Sequence, residues 1–311
     1  MTRKISTLFV LSLAFIAAVA CSNVAAQNTI TGDWYGSITK DGSKVNLNFE
    51  RRSEDGVNRH SSNYGHTFEF SEVGLTKEQV ENGGAVTFRL AREAGTIDAD
   101  GTFQNGKGNG TFRFTPNMAF LSAMKSRGFD FEKGDNEWKD ERPVEERLFA
   151  AASLNVTTAL ADDLLSANFG KLDVGDLFKA AIFKVDSTFM REMKDTGFPN
   201  LTFNDLVKAR IFKINAEFVR RASEMGFRDQ SFEGLVKMSI FKVTPEFLAE
   251  VRNEGLTDLK VEDVVKLRIF KIDGEYIRKA KSEGVPLNVE ALVKHKLGTD
   301  RIRTSRRSVI I

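Results

Sequence analysis

The six residues ARIFKI at 209–214 decide the fold, because the chain returns to closely related sequences at a fixed interval. The related stretches are AAIFKV at 180–185, MSIFKV at 238–243 and LRIFKI at 267–272. Their isoleucines stand at positions 182, 211, 240 and 269, so each step is 29 residues long. A fixed period of this length is typical of arrays in which each repeat is one supersecondary unit packed on its neighbours.

Each repeat carries the signals of two short helices. The first helix follows a residue that can cap it: Asp186, Asn215, Thr244 and Asp273. It ends at a glycine that suits a left-handed C-terminal turn: Gly197, Gly226, Gly255 and Gly284. The second helix begins near Thr202 or Ser231 and runs into IFK. Because helices this short are marginal alone, we expect the hairpins to stack, with IFK as the seam between them.

The repeats divide the C-terminal part of the chain. We predict five helical hairpins over 156–298, in an α-solenoid-like array, and a basic tail over 299–311. Residues 116–155 read as a degenerate first repeat that contains a highly charged insertion. Trp138 lies in this insertion and is a candidate contact residue, or else part of a cap on the array.

Residues 30–115 carry strand signals instead. Stretches such as KVNLNFERR at 44–52 alternate apolar with polar residues and are separated by turn sequences. We predict about six short antiparallel strands that form a small sandwich or a partly open barrel. A cavity inside this β domain would be lined by Trp34, Phe49 and Phe88; the alternative is that these aromatic residues fill its core.

Residues 1–26 are typical of a secretory signal. A basic start precedes the apolar stretch LFVLSLAFIAAVA at 8–20, and VAA at 24–26 offers a small-residue cleavage site. Lipid modification of Cys21 is the alternative, although lipoprotein signals usually have leucine where this chain has Ala18. We therefore expect an exported protein of the periplasm or envelope, held at the membrane if Cys21 is lipidated.

Two columns of lysine follow from the repeat. The first column contains Lys179, Lys208, Lys237, Lys266 and Lys294. The second contains Lys184, Lys213, Lys242 and Lys271. The first could bind an acidic protein or another acidic surface; the alternative is a solvated edge, because Asp205, Glu233, Glu262 and Glu290 lie near it and weaken its field.

Charge and motifs exclude several classes of function. The 45 basic and 43 acidic residues leave a net charge of +2, which does not favour a nucleic-acid binder. The sequence contains no H-E-x-x-H, G-x-S-x-G or Walker motif. We expect no metal or other cofactor, and membrane contact only through lipidation or the basic tail.

The stretches TPEFLAEVRNEGL at 244–256 and VEDVVKLRIF at 261–270 resemble a repeat of bacterial envelope proteins. Such repeats are appended to membrane metalloproteases of the beta-lactam-sensor type, and they occur in standalone exported proteins of unassigned function. The resemblance covers about residues 30–298 and implies a β domain followed by helical hairpins. The zinc motif and transmembrane helices of the metalloprotease are absent from this sequence, so its activity is not implied.

The sequence therefore predicts an α+β protein that serves as a non-catalytic interaction scaffold of the envelope, with regulation as one form of that role. Its partner would be another envelope protein or an acidic surface. A carrier of a small ligand or lipid in the β domain is the first alternative. An enzyme of unknown type is the second, and it would need a cleft with converging polar groups.

Overall fold

The computed structural model describes residues 29–51, 64–133, 142–198, 200–228 and 230–307. Within these ranges the chain is an α+β protein, in which an antiparallel sheet is followed by an array of helices. The strands are β1 (Ile30–Ile38), β2 (Val45–Arg51), β3 (Tyr64–Phe68), β4 (Gly84–Arg92), β5 (Gly95–Gln104) and β6 (Lys107–Pro116). A 3-10 helix (Phe70–Glu72) and one short α-helix, α1 (Lys77–Asn82), lie between β3 and β4.

The other helices follow the sheet in the chain. They are α2 (Met118–Lys125), α3 (Val144–Ser153), α4 (Thr158–Ser166), α5 (Val174–Phe183), α6 (Ser187–Lys194), α7 (Phe203–Ile211), α8 (Ala216–Glu224), α9 (Phe232–Ile240), α10 (Pro245–Asn253), α11 (Val261–Ile269), α12 (Gly274–Ser282) and α13 (Val289–Arg307). Helix α13 continues beyond position 298, where the sequence predicted the start of a separate tail. The signal segment with Cys21 and the insertion residue Trp138 lie outside the described residues.

The six predicted antiparallel strands are confirmed, and they form one sheet in the order β3-β2-β1-β6-β5-β4. The sheet curls into a half-barrel, which corresponds to the partly open barrel and not to the sandwich. Two helices take the place of a second sheet, because α1 and α3 both pack against the strands. Alternate residues of β2, such as Val45, Leu47 and Phe49, are buried under them.

Helix α3 connects the sheet with the helical array. Its Phe149 stacks on Phe112 with ring centroids 5.2 Å apart, and it also contacts Phe114 and Phe49. At the edge of this contact, the guanidinium of Arg51 on β2 pairs with the carboxylate of Glu146. A helix that the sequence assigns to the degenerate repeat therefore supplies part of the β-domain core.

Short helices recur at the predicted spacing. The first residues of α6, α8, α10 and α12 are 29 positions apart, and so are those of α5, α7, α9 and α11. The four expected capping side chains each accept a hydrogen bond from the backbone three residues later. The four expected glycines all have a positive φ, between 76° and 102°.

The second helices of neighbouring repeats lie side by side, with their C-terminal ends together. The hydroxyl of Ser239 on α9 donates to the carbonyl oxygen of Phe212, which follows α7. Nε of Arg268 on α11 donates to the carbonyl oxygen of Phe241 over 2.9 Å. These equivalent bonds place the end of each helix beside the end of the one before it.

The seam between hairpins differs from the prediction. The isoleucines of IFK are about half exposed, and the phenylalanines after them are only partly buried. The fully packed position comes three residues after the isoleucine, at Val185, Ile214, Val243 and Ile272. The reason is that the helix ends at IFK and the chain turns back there, so the next apolar side chain enters the core.

No single helix in the described ranges is long and apolar enough to cross a bilayer; α3 and α4 pass that test only as a pair, bent by 81°.

Candidate functional site

The most unusual surface of the array is a line of exposed aliphatic side chains. Among the described residues, nine large apolar side chains are exposed, and five of them occupy one repeat position. These five are between 47% and 51% exposed: Ile182, Ile211, Ile240, Ile269 and Leu297. Leu297 belongs to this set because the last repeat is one residue shorter. The hydrogen bonds described above, between the C-terminal ends of neighbouring helices, bring these positions together along one edge of the array.

A lysine in a strained backbone conformation follows each of the four isoleucines. Lys184, Lys213, Lys242 and Lys271 have φ values between 51° and 57°. The other non-glycine residues with positive φ that the structure describes are all asparagines, the type that tolerates this region best. For lysine, the left-handed conformation costs roughly 1 kcal/mol.

The strained lysines occupy a helix-ending turn for which glycine is the usual residue. At Lys213, its own N–H donates to the carbonyl oxygen of Arg210, and the N–H of Ile214 donates to that of Ala209 over 2.7 Å. This is the Schellman pattern, whose left-handed position favours glycine. The same chain uses glycine at the opposite ends of the hairpins. Lysine therefore occupies, in four successive repeats, a position for which glycine is the less strained residue.

Three of the five lysines in the first column, in contrast, are engaged within the array. Nζ of Lys208 lies 2.6 Å from Oε1 of Glu233 on the next second helix, and Lys266 pairs with Glu290 in the same way. Lys179 donates to Oδ1 of Asn204 over 2.9 Å. The hydrogen bond that Lys208 donates to Glu233 raises the pKa of Lys208, and the one that Lys266 donates to Glu290 raises the pKa of Lys266. These contacts favour the solvated, mutually paired edge over a free docking surface.

The second column is more available. Lys184, Lys213, Lys242 and Lys271 are exposed, and none forms an ion pair with a residue that the structure describes. Lys237 and Lys294 of the first column are exposed as well. We use the name Ile–Lys ridge for the nine residues of the two aligned sets: Ile182, Ile211, Ile240, Ile269, Leu297, Lys184, Lys213, Lys242 and Lys271.

The proposed lining of a β-domain cavity is packed instead. Trp34, Phe49 and Phe88 are each at most 3% exposed. The Trp34 ring contacts those of Phe88 and Phe103, and its indole N–H donates to the carbonyl oxygen of Asp100 over 3.0 Å. These contacts favour the alternative of a filled aromatic core. In the described part of the chain, no group of three or more His, Cys, Asp or Glu side chains could hold a metal ion.

Sequence reasoning identified both lysine columns but assigned the isoleucines to the seam. The distinguishing signal was present: each repeat has two aliphatic positions three residues apart, as at Ile211 and Ile214, and a helix end can bury only one of them.

We compared the chain with protein-family models, curated proteins and solved structures, and none of the three comparisons finds a match.

Replacing Lys213 with glycine tests whether the lysine is kept for stability. We expect Lys213→Gly to raise the free energy of unfolding by up to about 1 kcal/mol, because glycine adopts positive φ without steric strain. Lys213→Ala keeps the strained backbone and serves as the control, so it should unfold earlier than the glycine variant. Thermal unfolding measures both. A glycine variant less stable than the alanine variant would show that the backbone at position 213 is not strained.

Proposed function

We propose that the helical array is an α-solenoid-like scaffold that binds an acidic, apolar segment of another envelope protein along the Ile–Lys ridge. The observation that carries this proposal is the pairing, in four successive repeats, of a half-exposed isoleucine with a lysine held in left-handed backbone. The secretory character of residues 1–26 supports a place in the periplasm or envelope.

The chemistry of the partner follows from the spacing. Packed helices lie roughly 10 Å apart, so the five aliphatic positions extend over about 40 Å. A peptide in the polyproline II conformation has three residues per turn and rises about 3.1 Å per residue, so an apolar side chain at every third position would meet one isoleucine after another. Carboxylates between them would meet the lysines. About a dozen residues would cover the ridge at this rise.

Several features favour a protein segment over a lipid surface. The aliphatic side chains stand singly, one per hairpin, and are separated by helix-packing distances. Interfacial helices instead present a continuous apolar face, often with large aromatic residues. Discrete apolar positions that alternate with charges suit a partner whose own apolar and charged side chains recur at a matching spacing.

The binding test uses a defined peptide and two charge-matched variants. The probe is a fluorescein-labelled 13-residue peptide, (Leu-Glu-Glu)₄-Leu, and its binding to the chain without residues 1–26 is followed by anisotropy. We expect Lys213→Glu/Lys242→Glu to weaken binding by about tenfold or more, because two carboxylate contacts become repulsive. Added salt should weaken binding to the unsubstituted chain.

The control is Lys171→Glu/Lys194→Glu, which changes the net charge equally. These two exposed lysines lie at the glycine-turn ends of the hairpins, away from the ridge. Equal loss of binding in the two variants would contradict the proposal, because only net charge would then matter. Ridge-dependent binding to phosphatidylglycerol vesicles without peptide binding would instead assign the surface to lipid.

A further inference from the structure

The outer face of the sheet carries a surface that the scaffold function does not use. Strand register aligns Gly65, Asn48, Tyr35, Asn109 and Thr102 in one row across five strands. A second row beside it contains Thr67, Asn46, Ser37, Lys107 and Gln104. We call these two rows the Tyr35 face. Neighbouring strands are about 4.8 Å apart, so each row is roughly 19 Å long.

Tyr35 stands at the centre of this face and is 47% exposed. A depression of about 380 Å³ lies on one side of it, lined by Asn46, Asn48 and Thr67 among others. Another of about 550 Å³ lies on the other side, lined by Thr102, Gln104 and Asn109 among others. Tyr35 and Gly36 line both, so the tyrosine ring separates two shallow halves of one surface.

The polar groups of the face are almost all neutral. Asn48, Asn109 and Gln104 present side-chain amides, each with donors and an acceptor. The amide oxygen of Asn46 already accepts a hydrogen bond from the Thr67 hydroxyl over 2.6 Å. Oδ1 of Asn48 is buried and has no hydrogen-bond partner in the described part of the chain. An unpaired buried acceptor is unfavourable unless a ligand or water completes it.

The charges around the face argue against an anionic ligand. Lys107 is the single basic residue of the two rows. The next row across the sheet contains Glu50, Asp33 and Asp100, whose carboxylates would repel an anion. A neutral ligand rich in hydroxyl groups avoids that repulsion.

We infer that the Tyr35 face binds a neutral oligosaccharide laid across the strands, with one pyranose ring stacked on Tyr35. A sugar ring has an apolar C–H face that packs on an aromatic ring, and its hydroxyls pair with amides as both donor and acceptor. A row of roughly 19 Å accommodates about four rings of ~5 Å each. The central aromatic and the flanking amides match this chemistry better than that of a peptide, which would need an exposed strand edge or an apolar groove.

The test is an NMR titration of the chain without residues 1–26, labelled with ¹⁵N, with chitohexaose, cellohexaose and maltohexaose. We expect at least one of these neutral hexasaccharides to shift the side-chain amide signals of Asn48 and Asn109. Tyr35→Ala should weaken that binding at least tenfold. Tyr35→Phe should retain it within about threefold, because stacking needs the ring and not the hydroxyl.

Thr87→Ala is the matched control, because Thr87 lies on the same outer face but beyond the two rows. Its affinity should equal that of the unsubstituted chain. The inference is overturned if none of the three sugars shifts these amides, or if Tyr35→Ala binds as well as Thr87→Ala. Since Tyr35 is exposed, loss of the fold does not explain a loss of binding; unchanged dispersion of the remaining amide signals verifies this.

Discussion

Replacement of Phe149 by alanine is expected to lower the free energy of unfolding by about 3–5 kcal/mol, the range measured when a buried phenylalanine is truncated. Phe149 is 2% exposed, and its ring lies 5.2 Å from those of both Phe112 and Phe114. Its removal leaves a cavity between a helix and a curled sheet. Closing it would require α3 to move against the sheet, which would disturb the pair between Arg51 and Glu146.

The measurement can show whether the sheet and the array unfold as one unit. The chain has two tryptophans, so in a Trp138→Phe background the fluorescence reports on Trp34 in the sheet. Far-ultraviolet circular dichroism follows the helices. We expect Phe149→Ala to shift both urea midpoints together, because one side chain contributes to the packing of both parts.

Phe212→Ala provides the comparison, since Phe212 is only partly buried and lies far along the array. It should destabilise the chain less than Phe149→Ala does. A Phe149→Ala variant that unfolds at the midpoint of the unsubstituted chain would contradict the packing described for α3. Separate shifts of the two signals would show that the sheet and the array are independent.

The ends of the helices could be predicted from sequence because their causes are local. Asp186 caps α6 through a backbone bond three residues away, and Gly197 turns the chain just after the helix. Such signals need no knowledge of distant residues. The 29-residue period then assigns the remaining helix ends by repetition, as at Asn215 and Gly226.

The closing of the half-barrel could not be predicted in the same way. Phe149 lies in the least regular repeat, and its partners Phe112 and Phe49 are distant in the chain. Nothing local distinguishes an aromatic residue that packs on the next hairpin from one that packs on a sheet. The choice between sandwich and partly open barrel depended on that distant contact.

Only part of the candidate site could be predicted from the sequence, for a related reason. A repeat shows that lysines form columns. Whether the lysines of a column are paired depends on which residues of the next helix face them. Lys208 is paired because Glu233 occurs 25 residues later at the facing position. Lys213 is available because it follows the helix end. Its positive φ could not be predicted from the residue type, because lysine rarely adopts this backbone conformation.

Replacement of Gly110 by alanine is the second change for which we expect a large loss of stability, at the upper end of the roughly 1–3 kcal/mol typical of overpacked cores, or beyond it. A Cβ at Gly110 would lie 2.0 Å from the carbonyl oxygen of Asp100 and 2.6 Å from Nε1 of Trp34. The oxygen belongs to the backbone of β5 and accepts the indole hydrogen bond. The methyl group therefore requires either the strand pairing or the buried tryptophan to move.

The same substitution at Gly298 is the control, because an added Cβ there meets nothing within 4 Å. Gly298 lies within α13, where alanine is favoured over glycine by roughly 0.5–1 kcal/mol. We therefore expect Gly110→Ala to lower the urea midpoint and Gly298→Ala to leave it unchanged or raise it. The Trp34 fluorescence should also shift to longer wavelength in Gly110→Ala before unfolding, since the indole loses its enclosure. A Gly110→Ala chain with the fluorescence and urea midpoint of the unsubstituted protein would contradict this packing. It would mean that β5 and β6 are farther apart around Trp34 than described. The half-barrel could then accept a side chain at a position where close strand packing now excludes one.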